Sequence, residues 1–236
     1  MIYALVGYRM RNLPRLLITI TLMQCFFACR RAENTEHPRG AAEAERLAAI
    51  LESPDRAHWQ MPDRVISELR LKNGEVVADI GAGTGYFARR IAEKIAPAGL
   101  SVGFDINPDL VAFMERDAAT RGLSANYKAR LIASRNPTLE DGHYDLVFFC
   151  NTYQHLENRT AYFNSLAKSL KPNGRIVVID FIKLEKTDEE SGEVPENLVD
   201  KETVKREFRQ AGFKLRRELK FLPSQYFLEF VRRPVG

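Results

Sequence analysis

Cysteine is nearly missing. Of three in 236 residues, Cys25 and Cys29 fall in one N-terminal stretch and only Cys150 lies beyond it. The rest of the chain therefore has no internal disulfide and no thiolate zinc site. Basic residues are not gathered into a stripe. The net charge is +4 and the pI near 9.0, and neither helix-turn-helix nor zinc-knuckle spacing occurs, so no nucleic-acid partner is expected. Internal repeats and low-complexity segments are absent as well. The apolar run at residues 16–28 falls short of the roughly 20 residues that a bilayer-spanning helix needs.

That run still has a recognisable shape. Arg9, Arg11 and Arg15 precede it, Met10 offers a compact basic start, and Ala28 stands before Cys29 as at a bacterial lipoprotein site. Basic segment, short apolar run and small residue together read as a secretory signal. Arg30 and Arg31 follow directly, and positive charge there resists translocation. The expected location is the cell envelope, or a membrane, of a bacterium. An uncleaved anchor holding the domain on the cytoplasmic face is the alternative.

What is present is a globular composition, 45% hydrophobic and 28% charged, enough for one α/β domain with added segments. Residues 1–40 form the signal or anchor and a linker, 41–70 a helical lid, and 71–236 the main domain. Helices are expected over 41–51 and 63–70, with Ser53-Pro54 between them. Strands and helices then alternate, as in a parallel sheet. Strands are expected at 76–80, 100–104, 127–133, 144–149 and 175–181, and helices at 86–94, 107–121, 159–170 and 201–210. The charged stretch 183–197 reads as a loop over a site. Strands at 213–221 and 226–231, joined by a short turn, must be antiparallel.

The chain is organised around residues 76–87, VVADIGAGTGYF. An apolar strand ends in Asp79, and Gly81, Gly83 and Gly85 follow at every second position before a helix begins. Strand, glycine turn and helix N-terminus in that order form a nucleotide-binding loop. The dinucleotide fingerprint G-x-G-x-x-G requires a third glycine at position 86, which is Tyr86. A carboxylate at Asp79 repels a pyrophosphate but suits an ammonium group. S-adenosylmethionine (SAM) has an α-ammonium, a sulfonium and no phosphate. DIGAGTG resembles motif I of the class I SAM-dependent methyltransferases. The resemblance covers residues 71–231 and implies a Rossmann-like α/β fold, a seven-stranded mostly parallel sheet closed by an antiparallel pair. The run RAHWQMPDRV before the glycine motif is similar to methyltransferases related to those of ubiquinone and menaquinone synthesis.

The site residues follow from this. Asp79, Gly81, Ala82, Gly83, Gly85 and Tyr86 surround the donor's methionine end. Asp105, twenty residues past Gly85, accepts from the ribose hydroxyls or caps the following helix. Ile106 lines an adenine face. Related enzymes often carry Gly-Asp-Ala after strand three; this chain has Ala133-Ser134-Arg135, leaving Ser134 as the hydrogen-bonding group. Beyond strand four, Asn151 borders the cofactor, and Tyr153 and His155 are the catalytic candidates. His155 is either a general base or a helix-starting residue that bonds backbone. Cys150 reads as a small buried apolar residue. Trp59 either closes the lid or plugs the sheet edge.

The reading is methyl transfer from SAM to a small, lipophilic acceptor, with no metal. Positioning in line supplies much of such a reaction, roughly 7–11 kcal/mol in aligned intramolecular cases. A SAM-binding envelope protein without catalysis is the alternative. An NAD-dependent oxidoreductase is disfavoured by Tyr86 and Asp79.

Overall fold

A computed structural model describes residues 40–134, 137–182 and 198–234. The expected signal at 16–28 and loop at 183–197 lie outside these residues. Three N-terminal helices, α1 (Gly40–Leu51), α2 (Arg56–Gln60) and α3 (Pro62–Glu68), precede an alternating series. That series is β1 (Val76–Ile80), α4 (Tyr86–Ile95), β2 (Leu100–Asp105), α5 (Pro108–Thr120), β3 (Tyr127–Leu131) and β4 (Tyr144–Cys150). A 3-10 turn (Tyr153–His155) leads to α6 (Arg159–Ser169), β5 (Leu170–Phe181), α7 (Lys201–Gln210), β6 (Phe213–Leu219) and β7 (Gln225–Arg232).

The seven strands form one sheet in the order β3-β2-β1-β4-β5-β7-β6. Strands β1 to β5 are parallel, while β7 runs antiparallel to both β5 and β6. The expected topology is therefore found. One local difference concerns Lys171-Pro172-Asn173-Gly174, expected as a turn. These four residues stand against the single Asp145 between the Tyr144–Leu170 and Leu146–Arg175 pairs. The chain bulges within β5 there, because a proline without an N–H is accommodated in a sheet at such irregularities.

Helix starts follow local chemistry. Asn107 caps α5 by accepting from the Asp109 N–H at 2.9 Å, with Pro108 in the first turn. Asp200 caps α7, accepting from Glu202 and Thr203. Both satisfy backbone donors that a helix leaves unpaired. The sheet divides two apolar layers. Leu166, Val204, Phe208, Phe213 and Phe230 belong to one, and Val65, Leu69, Phe87, Ile91 and Phe227 to the other. Phe208 and Phe230 stack with centroids 4.0 Å apart and planes 6° from parallel.

Strand order reverses between β1 and β4. The chain leaves β1 towards β2 and β3, then returns to the other side for β4. The crevice at the carboxyl ends of β1 and β4 is where ligands bind in open sheets of this type. Both the glycine turn and Asn151 lie there.

Candidate functional site

The turn after β1 is built on glycine conformations. Gly81, Gly83 and Gly85 have φ of +70°, +61° and +78°. A Cβ on Gly85 would fall 1.7 Å from Tyr127 Oη, and one on Gly83 would meet Leu51 Cδ1 at 3.2 Å. No side chain fits there without displacing a neighbour. The Gly81 and Ala82 N–H groups both donate to the Phe104 carbonyl, at 2.8 and 2.9 Å, which pins the loop to β2. Gly85 caps α4, whose N-terminus faces the crevice.

Two acids flank the loop. Asp79 is 3% exposed, and burial pushes its carboxyl up to about 7, with Arg56 opposing the rise and Asp105 adding to it. Asp105 accepts from the Gly83 N–H at 2.8 Å and from the Asn107 N–H at 2.9 Å. Burial also raises its pKa, opposed by those same backbone donors. Asn107, not Asp105, caps α5; Asp105 is instead a turn acid that holds the cap residue's N–H and ties β2 to the glycine turn. Ile106, next in sequence, is 42% exposed. Ser134 is exposed, three residues past the end of β3.

Asn151 adopts φ +57° and joins a buried ring of amides. Gln60 Nε2 donates to Gln225 Oε1 at 2.6 Å, Gln225 Nε2 donates to Asn151 Oδ1 at 2.5 Å, and Asn151 Nδ2 approaches Gln60 Oε1 at 3.5 Å. These three residues come from α2, the end of β4 and the start of β7. The ring fastens the N-terminal helices over the crevice.

The α1–α2 corner is tied down at its other end. Glu52 accepts from Thr84 Oγ1 at 2.5 Å and from Arg89 Nη1 at 3.1 Å, with a second, shorter contact to Arg89 Nη2. Between the two fastenings, Arg56 lies 3.9 Å above the Tyr86 ring centroid. Trp59 is half-buried, its ring 5.6 Å from that of Phe181 at the end of β5.

The catalytic candidates fare less well. Tyr153 does not reach the crevice. It is fully buried, stacks with Phe163 and Phe208, and donates its hydroxyl to Glu207 at 2.5 Å. Burial and that carboxylate raise its pKa far beyond use in proton transfer. The short 3-10 turn after β4 places its ring against α7 rather than over the site, so Tyr153 is a core residue. His155 is half-buried on the same turn, with Nε2 3.3 Å from Gln154 Nε2. Burial pulls its pKa down to about 4, so it is neutral at pH 7 and a weak base, contrary to the expected tuning. Burial also drives the Cys150 thiol far up, which leaves it inert.

Three further residues beside the crevice lie outside the expected site set. Arg56 and Gln60 belong to a five-residue helix that precedes the glycine motif in sequence and packs against it in space. Asp180 ends β5, is 2% exposed, and accepts from the Phe181 N–H at 2.8 Å and the Gln154 N–H at 3.4 Å. Burial pushes it up to about 7. Its signal was an acid at a strand's carboxyl end, the same rule that singled out Asp79 and Asp105.

Among the described residues, no cluster of His, Cys, Asp or Glu can hold a metal ion. A cleft of about 650 Å³ opens at the opposite end of the sheet, near Glu75, Asp145, Lys171 and Arg175. Its charges are largely paired, Arg175 with Glu75 and Lys171 with Asp145, and it lies away from the glycine turn.

A tight glycine turn between two buried acids, at the switch point of a parallel sheet with an antiparallel closing pair, now has counterparts. A family model described as a methyltransferase domain matches residues 71–212. The chain belongs to the class I SAM-dependent methyltransferases. A SAM-dependent methyltransferase from Aquifex aeolicus shares the fold, with a TM-score of 0.71 at 21% identity over 80% of this chain and 97% of that one. A phosphoethanolamine N-methyltransferase 2 from Haemonchus contortus, solved with SAM, has a TM-score of 0.57 at 21% identity, over 66% of this chain and 37% of that one. By sequence, the ubiquinone/menaquinone biosynthesis C-methyltransferase of Pseudomonas putida is 26% identical over 113 residues, 48% of this chain and 44% of that protein. This methyltransferase chain thus aligns with less than half the length of that curated relative.

The residues present fit a SAM-sized donor. A Cβ at Gly85 or Gly83 would meet Tyr127 or Leu51, so the turn is bare backbone, and a buried carboxyl, Asp79, lies beside it. Arg56, buried opposite, has no carboxylate among the described residues within ion-pair distance.

Proposed function

We propose that this protein transfers a methyl group from SAM to a small acceptor with an apolar body. The observation that carries the reading is the glycine turn held between Asp79 and Asp105 beneath the N-terminal helices. On this reading Asp105 takes the ribose hydroxyls, Asp79 the ammonium, and Ile106 and Ser134 border the adenine. Gly81, Ala82, Gly83 and Gly85 let the donor approach the backbone, and Asn151 closes the cofactor side. When bound, SAM supplies a methyl group already activated by its sulfonium.

The chain's part is then to orient and to exclude water. The amide ring of Gln60, Asn151 and Gln225 and the Glu52 clamp hold α1 and α2 over the crevice, in keeping with residues 41–70 acting as a lid. The Trp59–Phe181 pair and the exposed Ile182, 40% accessible at the end of β5, offer apolar contact to an acceptor. The relationship to a quinone C-methyltransferase supports an acceptor of that kind, and the apolar run at 16–28 supports a place of action at a membrane. A His155 with pKa near 4 argues for positioning over strong base catalysis.

Incubating the full chain with methyl-labelled SAM and a panel of short-chain hydroquinones is the test. Label transfer to a hydroquinone is expected. Transfer confined to soluble polar amines would overturn the lipophilic acceptor.

A further inference from the structure

Arg56 is in an unusual electrostatic position. It is 7% exposed on α2, and its guanidinium has five N–H donors to place. One from Nη1 goes to the Leu51 carbonyl at 2.7 Å, and Nε donates to Gln60 Oε1 at 3.3 Å. Its remaining neighbours are the faces of Tyr86 and Phe87, 3.9 and 5.7 Å from its carbon, and the Cys150 thiol. No carboxylate among the described residues pairs with it, although Glu52 and Asp79 act on it electrostatically from further away. A buried cation without an anion in contact is costly, and proteins rarely keep one without a use for it.

The surroundings indicate the use. Glu52, four residues earlier, is engaged by Thr84 and Arg89 of the glycine turn and α4. Gln60, four residues later, is held in the amide ring with Gln225 and Asn151. Arg56 is therefore fixed from both sides, close enough to the buried Asp79 for the two charges to act on each other. A cation and an acid buried near one another without pairing directly complement a zwitterion.

We propose that Arg56 binds the α-carboxylate of the donor while Asp79 binds its α-ammonium, so that the site beneath the fastened N-terminal helices favours a ligand bearing both charges. This rests on the methyltransferase reading. Arg56 is then a specificity-determining residue contributed by the helical segment that precedes the matched methyltransferase domain. The guanidinium geometry allows two parallel N–H···O contacts to a carboxylate, which an ammonium cannot reproduce.

The test is calorimetric binding to the full chain of SAM and of decarboxylated SAM, which lacks only the carboxylate. The wild type is expected to prefer SAM by at least tenfold. Arg56→Gln is expected to weaken SAM by tenfold or more and to leave decarboxylated SAM within about twofold, which removes the preference. Arg56→Lys is expected to retain part of it. Equal wild-type affinities, or an Arg56→Gln loss shared equally by both ligands, would overturn the proposal, the second outcome marking Arg56 as structural. If the wild type binds neither ligand, the methyltransferase reading itself fails and this inference with it.

Discussion

Asp79 is a buried carboxyl beside the glycine turn. Burial holds its carboxyl at about 7 against an ordinary 3.8. Between these values the folded protein holds a proton that the unfolded chain has released, so this group's contribution to stability falls as pH rises from about 4 to about 7. Asp180, also near 7, acts in the same direction. An ammonium placed beside Asp79 reverses the demand by favouring the carboxylate. SAM affinity is therefore expected to weaken by roughly tenfold for each pH unit below 7, and calorimetry across pH 5.5–8 will show it. Asp79→Asn should flatten that dependence, weaken SAM and raise the apo melting temperature near pH 8. A pH-independent SAM affinity would contradict the assigned role. Asp105 offers a second check. Hydrogen bonds to a charged group contribute about 1.5–3 kcal/mol each, so Asp105→Ala should weaken SAM by at least tenfold in the same titration.

At the scale of elements, the N-terminal helices and the sheet respond to different substitutions. Glu52→Ala removes the contacts from Thr84 and Arg89 that hold the α1–α2 corner on the glycine turn. The expected outcome is weaker SAM binding and faster proteolysis of the 40–60 region, with the unfolding midpoint of the sheet domain little changed. Phe208 on α7 is fully buried against Phe163, Phe213 and Phe230. Phe208→Ala should cost about 3–5 kcal/mol in urea unfolding while leaving SAM affinity within about twofold, because α7 packs away from the glycine turn.

At the scale of the whole molecule, the sequence was most legible where local pattern and tertiary role coincide. The alternation of apolar strands with amphipathic helices gave the topology, and the spacing of Gly81, Gly83 and Gly85 with Asp79 and Asp105 gave the loop. Lys171-Pro172-Asn173-Gly174 was misread because a turn and a bulge use the same residues. Tyr153 was misread because a 3-10 turn can send neighbouring side chains to opposite sides, and only the packing of α7 shows that it belongs to the core. Arg56 and Gln60 lie in the run RAHWQMPDRV, but neither their contacts nor the part played by Gln225 could be found from pattern. Gln60 and Gln225 meet across 165 positions, and no local periodicity encodes such a contact.

The central claim is that the glycine turn at the β1–β4 switch point holds SAM. Titrating SAM and NADH separately into the full chain, with Gly83→Trp as control, tests it most directly. Residue 83 has φ +61° and a Cβ there already crowds Leu51, so an indole cannot be accommodated without blocking the turn. The account predicts saturable SAM binding that the substitution abolishes, and no binding of NADH. Binding of NADH in place of SAM, or SAM binding unaffected by Gly83→Trp, would contradict it.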